Sequence, residues 1–187
     1  MLILALGFLG VLFMIYGVVL ISRMRAEDPG AWPTVAAGGG ATVSLHPGWT
    51  IEDPGPPARI TTGVRGAQLS IEPVTPAAQK SDLALPAVPP EQILNGIVSE
   101  SGVLLDQDSI EAIRLPAGER IGIRIASAGT GPEGNRGFFE FHLLGAGAGA
   151  VLLRYRCPVL SGSIDSLNLG RTAESVRFHE TAPPPSG

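Results

Sequence analysis

Apolar and polar positions divide the chain into zones that differ in period. From Leu2 to Ile21 no charged residue occurs, and Gly7, Gly10, Gly17 and Tyr16 interrupt a run of Leu, Ile, Val, Phe and Met. About 20 residues at a rise of about 1.5 Å span a hydrocarbon core of about 30 Å. In lipid every backbone amide must be satisfied within the segment, so the run predicts one transmembrane helix over residues 1–22. A cleaved signal peptide fits less well. No basic residue precedes the run, the run exceeds a typical h-region, and Arg23-Met24-Arg25 stands where a small-x-small site would be needed.

Residues 23–40 show no period, and Glu27-Asp28-Pro29-Gly30, Pro33 and Gly38-Gly39-Gly40 read as a flexible linker. Trp32 within it suits either the membrane interface or the surface of the folded part. Period-two alternation begins at Ala41–His46, resumes at Trp49-Thr50-Ile51, and continues through Arg59–Thr62 and Val64–Glu72. Pro73 to Pro90 is a long Pro/Ala-rich loop. Glu91–Ser101 then follows the helical period, with Ile93, Leu94, Ile97 and Val98 as its apolar stripe. Pro90 stands where proline opens a helix and Gly102 where glycine closes one.

The clearest alternation comes next. Strands are predicted over Asp108–Leu115, Arg120–Ser127, Arg136–Leu144 and Ala150–Cys157, with a glycine-rich loop at Ala128–Asn135. Ile121, Ile123 and Ile125 share a face, as do Phe139, Phe141 and Leu143, and Val151, Leu153, Tyr155 and Cys157. Gly145–Gly149 joins the last two strands, which predicts an antiparallel meander with one buried face. Ser163 caps a last helix through Ser175 with Ile164, Leu167, Ala173 and Val176 inward, and Val176-Arg177-Phe178 is extended. Residues 41–179 therefore read as a single α+β domain, an antiparallel β-sheet flanked by helices, and residues 180–187 as a disordered tail.

Composition sharpens this picture at three points. Net charge is −4 and Lys80 is the one lysine, so no basic stripe with interleaved aromatics exists and nucleic acid is not an expected partner. Cys157 is the one cysteine, so no disulfide forms within the chain and cysteine usage leaves the compartment open. His46, His142 and His179 are too scattered for a metal-ligand spacing, no phosphate loop or nucleophile elbow occurs, and no cofactor is expected.

Leu45-His46-Pro47-Gly48-Trp49 resembles the early strand followed by Pro-Gly-Trp of PsbP-like domains. The mid-chain helix, the consecutive strands and the closing Ala173-Glu174-Ser175-Val176-Arg177-Phe178 fit the same plan over about residues 41–179. That family includes extrinsic proteins of photosystem II and small bacterial envelope proteins and lipoproteins. The resemblance implies a sheet flanked by helices, a binding or assembly role and, more often than not, an extracytoplasmic location. Arg23 and Arg25 vote the other way, since the positive-inside rule draws their side of the helix to the cytoplasm.

The candidate chemistry lies on the strands. Alternation puts Arg124, Glu140, His142, Arg154 and Arg156 opposite the apolar face, with Glu140 facing Arg154 in one register and Arg156 in the other. Such a set can bind an acidic partner or an anionic headgroup through the arginine forks. The plainer reading is a solvated ladder of cross-strand ion pairs, each worth roughly 0.2–1 kcal/mol. Three functions stay open. The first is a non-enzymatic binding or assembly module whose partners are the lipid bilayer and a membrane or envelope protein. The second is a hydrolase or metal-dependent enzyme using Glu140 and His142. The third is a structural subunit that pairs through Gly7, Gly10 and Gly17, which share one helical face.

Overall fold

The structure, a computed structural model, describes residues 32–74, 89–106, 110–114, 121–145, 150–158 and 162–179. The predicted membrane helix with Gly7, Gly10 and Gly17, the loop over 75–88 and the tail over 180–187 lie outside these residues. No described helix is long and apolar enough to cross a membrane.

The folded part begins earlier than its alternation indicates. Strand β1 (Thr34–Gly38) lies inside the stretch read as a linker and pairs antiparallel with β2 (Ala41–Ser44). Gly38-Gly39-Gly40 is the turn between them, with φ of 80°, 59° and 75°, not a spacer. A Cβ on Gly38 would also meet Pro73 Cγ at 2.8 Å. Only Val35 and Ala37 of β1 point inward, too few positions for a period to show. Trp32 packs on the domain, 4% exposed, with its ring centre 5.4 Å from that of His46 in an edge-to-face arrangement. On the other side of β2 lies β11 (Arg177–Phe178), which completes a three-stranded sheet.

The larger sheet runs β3 (Thr50–Asp53), β4 (Ala58–Thr61), β5 (Gln68–Val74), β10 (Ala150–Cys157), β9 (Arg136–Leu144), β8 (Ile121–Thr130) and β6 (Leu104–Leu105). The eighth strand, β7 (Ile110–Arg114), also pairs with β8, and every pairing is antiparallel. β8 reaches Thr130, so the predicted loop over Ala128–Asn135 is cut to a turn after it. Helix α1 (Pro90–Glu100) has proline at its start, and Gly102 follows its end at φ 70°. Helix α2 (Gly162–Glu174) buries Leu169 and Ala173 but leaves Leu167 58% exposed, contrary to the predicted inner set.

Both faces of the large sheet are covered, where one buried face was predicted. On one side Leu69, Ile71, Val151, Leu153, Tyr155 and Cys157 pack with the small sheet and with Leu169 and Ala173 of α2. On the other, Ile123, Ile125, Phe139, Phe141, Leu143 and Leu152 pack against Leu94 and Val98 of α1. Burying a side chain of this kind contributes roughly 1.5–3 kcal/mol, so each layer is a core in its own right. The result is α+β, a central antiparallel sheet held between helices and a smaller sheet.

Candidate functional site

Register decides where the charged residues go. Glu140 of β9 lies opposite Tyr155 of β10, and His142 opposite Leu153; neither predicted register occurs. A slip of one residue moves a whole strand's side chains to the other face. The five residues are therefore split. Arg124, Glu140 and His142 lie on the α2 side, and Arg154 and Arg156 on the α1 side. Phe139 and Phe141 of β9 and the Val151-Leu153-Tyr155 row are both apolar, but they belong to different cores.

On the α2 side the predicted solvent-facing ladder is a closed polar knot. Glu140 and His142 are both fully buried, and Arg124 is 26% exposed at its side chain. Glu140 Oε1 accepts from Arg124 Nε at 2.6 Å and lies 2.7 Å from His142 Nε2. Its Oε2 accepts from Ser166 Oγ of α2 at 2.7 Å. Burial pushes the Glu140 carboxyl up, but the His142 ring, the Ser166 hydroxyl and Arg124 outweigh it and hold the group below its ordinary value. His142 Nδ1 is buried without a hydrogen-bond partner.

A second knot ties α2 to the same face. Asp165, 3% exposed, accepts at Oδ2 from Tyr155 Oη at 2.7 Å and from Thr62 Oγ1. Burial, then hydrogen bonds with the neighbouring Cys157 and Asp165, push the Tyr155 hydroxyl well up. Burial also raises the Cys157 thiol, against a smaller lowering by Tyr155, and the charges of Asp165 and Glu140 add to the rise. Among the described residues no group of three or more His, Cys, Asp or Glu side chains is placed to hold a metal ion.

The α1 side is open where α1 stops short of β4 and β5. A cleft of about 330 Å³ lies there, lined among others by Arg59, Arg154, Arg156, Phe139, Phe141 and Ser101. Pairing explains the convergence. Arg59, Ser70, Arg154 and Phe141 form one row across four strands, and Gln68, Arg156 and Phe139 the next. Arg154 Nη2 forms an ion pair with Glu72 Oε1 at 2.8 Å, while Arg154 Nε is buried without a hydrogen-bond partner. Arg59 was not among the predicted site residues. Its link to Arg154 runs through the β4–β5 and β5–β10 pairings, and nothing local in the sequence announces it.

No protein-family model and no curated protein sequence matches this chain. Solved structures do. PsbP (CyanoP) of the cyanobacterium Synechocystis sp. PCC 6803 superposes with a TM-score of 0.52 at 13% identity, covering 78% of this chain and 90% of that one. The fold is PsbP-like. LpqN of Mycobacterium tuberculosis, involved there in cell envelope biogenesis, gives a TM-score of 0.46 at 12% identity over 73% of this chain and 81% of its own. Within the PsbP-like core Leu45 and Trp49 are 1% and 7% exposed, and Trp49 N closes the turn between them on His46 O at 2.9 Å.

Proposed function

We propose that this chain is a membrane-anchored, non-enzymatic binding module that acts beside a membrane complex, with the PsbP-like domain as its recognition element. The observation that carries this reading is the division of labour between the two sheet faces. Side chains able to move protons or attack a substrate, Glu140, His142, Tyr155, Cys157 and Asp165, are enclosed beneath α2 and bond to one another or to the helix. The open cleft instead offers arginines, amides, hydroxyls and one carboxylate, Glu52, over an aromatic floor, a surface suited to holding a partner. An enzyme built on Glu140 and His142 would need a concavity that reaches them, and neither lines the cleft.

The uncharged run from Leu2 to Ile21 supplies the anchor in this reading, with the lipid bilayer as the first partner. We place the domain outside the cytoplasm, following the PsbP-like fold over the two arginines that flank the run. Protease added to intact spheroplasts should cut the domain; protection would reverse the assignment. Cross-linking in native membranes tests the module itself, with a discrete higher-mass species expected that survives Gly10→Leu and Gly17→Leu. Loss of that species in the glycine variants would favour a subunit that pairs through its anchor, and no species at all would sink the binding role.

A further inference from the structure

We infer that the cleft beside α1 binds a short acidic peptide segment, its carboxylates held by Arg59, Arg154 and Arg156 and its apolar side chain lying on Phe139 and Phe141. This rests on the binding-module reading and names the partner's chemistry. Three observations carry it. Arg154 Nε is buried without an acceptor, and a guanidinium N–H stripped of water is costly until one arrives. Arg59 and Arg156 line the same cleft, and neither has an ion-pair or hydrogen-bond partner among the described residues. Among the described residues the cleft lining holds three guanidiniums and one carboxylate, Glu52, which takes the Thr61 hydroxyl. Glu72 pairs with Arg154 and Asp53 stands opposite Arg59 at the edge, so the lining itself carries surplus positive charge on a chain of net charge −4.

The form of the spot selects the ligand. Arginine forks match planar carboxylates, and paired contacts fix orientation as well as charge. The volume of about 330 Å³ admits a few side chains. Arg156 is half-buried over the aromatic floor, which gives an apolar side chain a seat beside the charge, and a chain of charge −4 is repelled by an anionic bilayer. These features favour a peptide over a lipid headgroup.

The test uses the full chain in phosphatidylcholine nanodiscs and a fluorescein-labelled hexapeptide alternating aspartate with phenylalanine. Its anisotropy should show saturable binding that weakens with added salt. The counterpart peptide with asparagine for aspartate should not bind. Arg156→Gln and Arg59→Gln should each weaken binding roughly tenfold or more, and Arg156→Lys should recover part of the loss. Thermal melts confirm that each variant folds, and the exposed Arg59 gives a variant least able to disturb the core. Equal binding of the asparagine peptide, variants that bind like the parent chain, or no binding at all would each overturn the inference, as would binding to phosphatidylglycerol vesicles in place of the peptide. If these arginine variants still form the cross-linked membrane assembly, the cleft is not its docking site and the module reading stands; if no assembly forms with the parent chain, that reading fails.

Discussion

Removing the Glu140 carboxylate is the sharpest test of the knot beneath α2. Glu140→Leu leaves three donors, Arg124 Nε, His142 and Ser166 Oγ, without the acceptor they share. They do not suffer equally. Arg124 is 26% exposed and turns to water, so its share is small. Ser166 is half-buried and finds water at modest cost. His142 is fully buried with Nδ1 already unpartnered, so its ring loses its one hydrogen bond. An unmet buried donor costs about 1–3 kcal/mol, and breaking a buried ionic set from one side costs about 3–5 kcal/mol. Discounting the exposed arginine puts Glu140→Leu at about 3–4 kcal/mol. At 2–4 °C for each kcal/mol in a domain of this size, that lowers the melting temperature by roughly 6–16 °C. Glu140→Gln keeps the volume and one acceptor, and should cost about 2 kcal/mol. Thermal unfolding of the full chain in detergent, followed through the buried indoles of Trp32 and Trp49, measures both. The double variant with His142→Leu should recover at least about 1 kcal/mol over Glu140→Leu, because an apolar pair then replaces a half-emptied ionic one. A Glu140→Leu melt within about 2 °C of the parent, or strictly additive losses in the double variant, would refute the reasoning.

The same carboxyl sets the acid limb. Its folded value lies below the ordinary 4.5, so its stabilisation is complete above that pH and fades as pH falls toward the folded value; Glu140→Gln should flatten the acid limb of a melting-temperature profile. Tyr155 runs oppositely, because burial raises its hydroxyl above the ordinary 10.0, so its stabilisation is whole below pH 10 and is lost as pH climbs beyond it. Tyr155→Phe should cost about 1–2 kcal/mol at neutral pH, through the lost bond to Asp165, and should reduce the alkaline loss. Gly129→Ala places a Cβ 2.5 Å from Leu104 O, a backbone atom that cannot yield without moving β6. It should cost about 1–3 kcal/mol, and the Asp106 amide, which bonds Ala128 O at 2.8 Å, should lose its hydrogen-exchange protection.

Local signals carried most of the element order. Pro90 and Gly102 bracket α1 to within a residue, and the alternation of Ile121, Ile123 and Ile125 marks β8. What stayed hidden was layer assignment. Phe139-Phe141-Leu143 and Val151-Leu153-Tyr155 look alike in sequence, and a single core would place them on one face. A sheet covered on both sides lets them face apart, and that choice alone sends Glu140 and His142 inward and Arg154 and Arg156 to the cleft. The Glu140 carboxylate is tolerated on a face that a helix covers because both its oxygens are bonded, and one of those bonds comes from Ser166, far along the chain. The cleft was less legible still, since Arg59 joins it through pairings between strands that nothing adjacent specifies.

The three-stranded sheet has a consequence for biosynthesis. Its middle strand, β2, waits for β11, and the contact of Thr42 with His179 closes a separation of 137 residues. At typical elongation rates that is roughly 7–27 s during which the β1–β2 pair is made but β2 lacks its second partner strand. If the N-terminal run is already threaded into a bilayer, the nascent strands must remain unaggregated beside the membrane for that interval. The edge of β2 that later receives β11 is then an open template for other extended chains. A chaperone that shields this edge would act early, and its work would end when Arg177 and Phe178 dock.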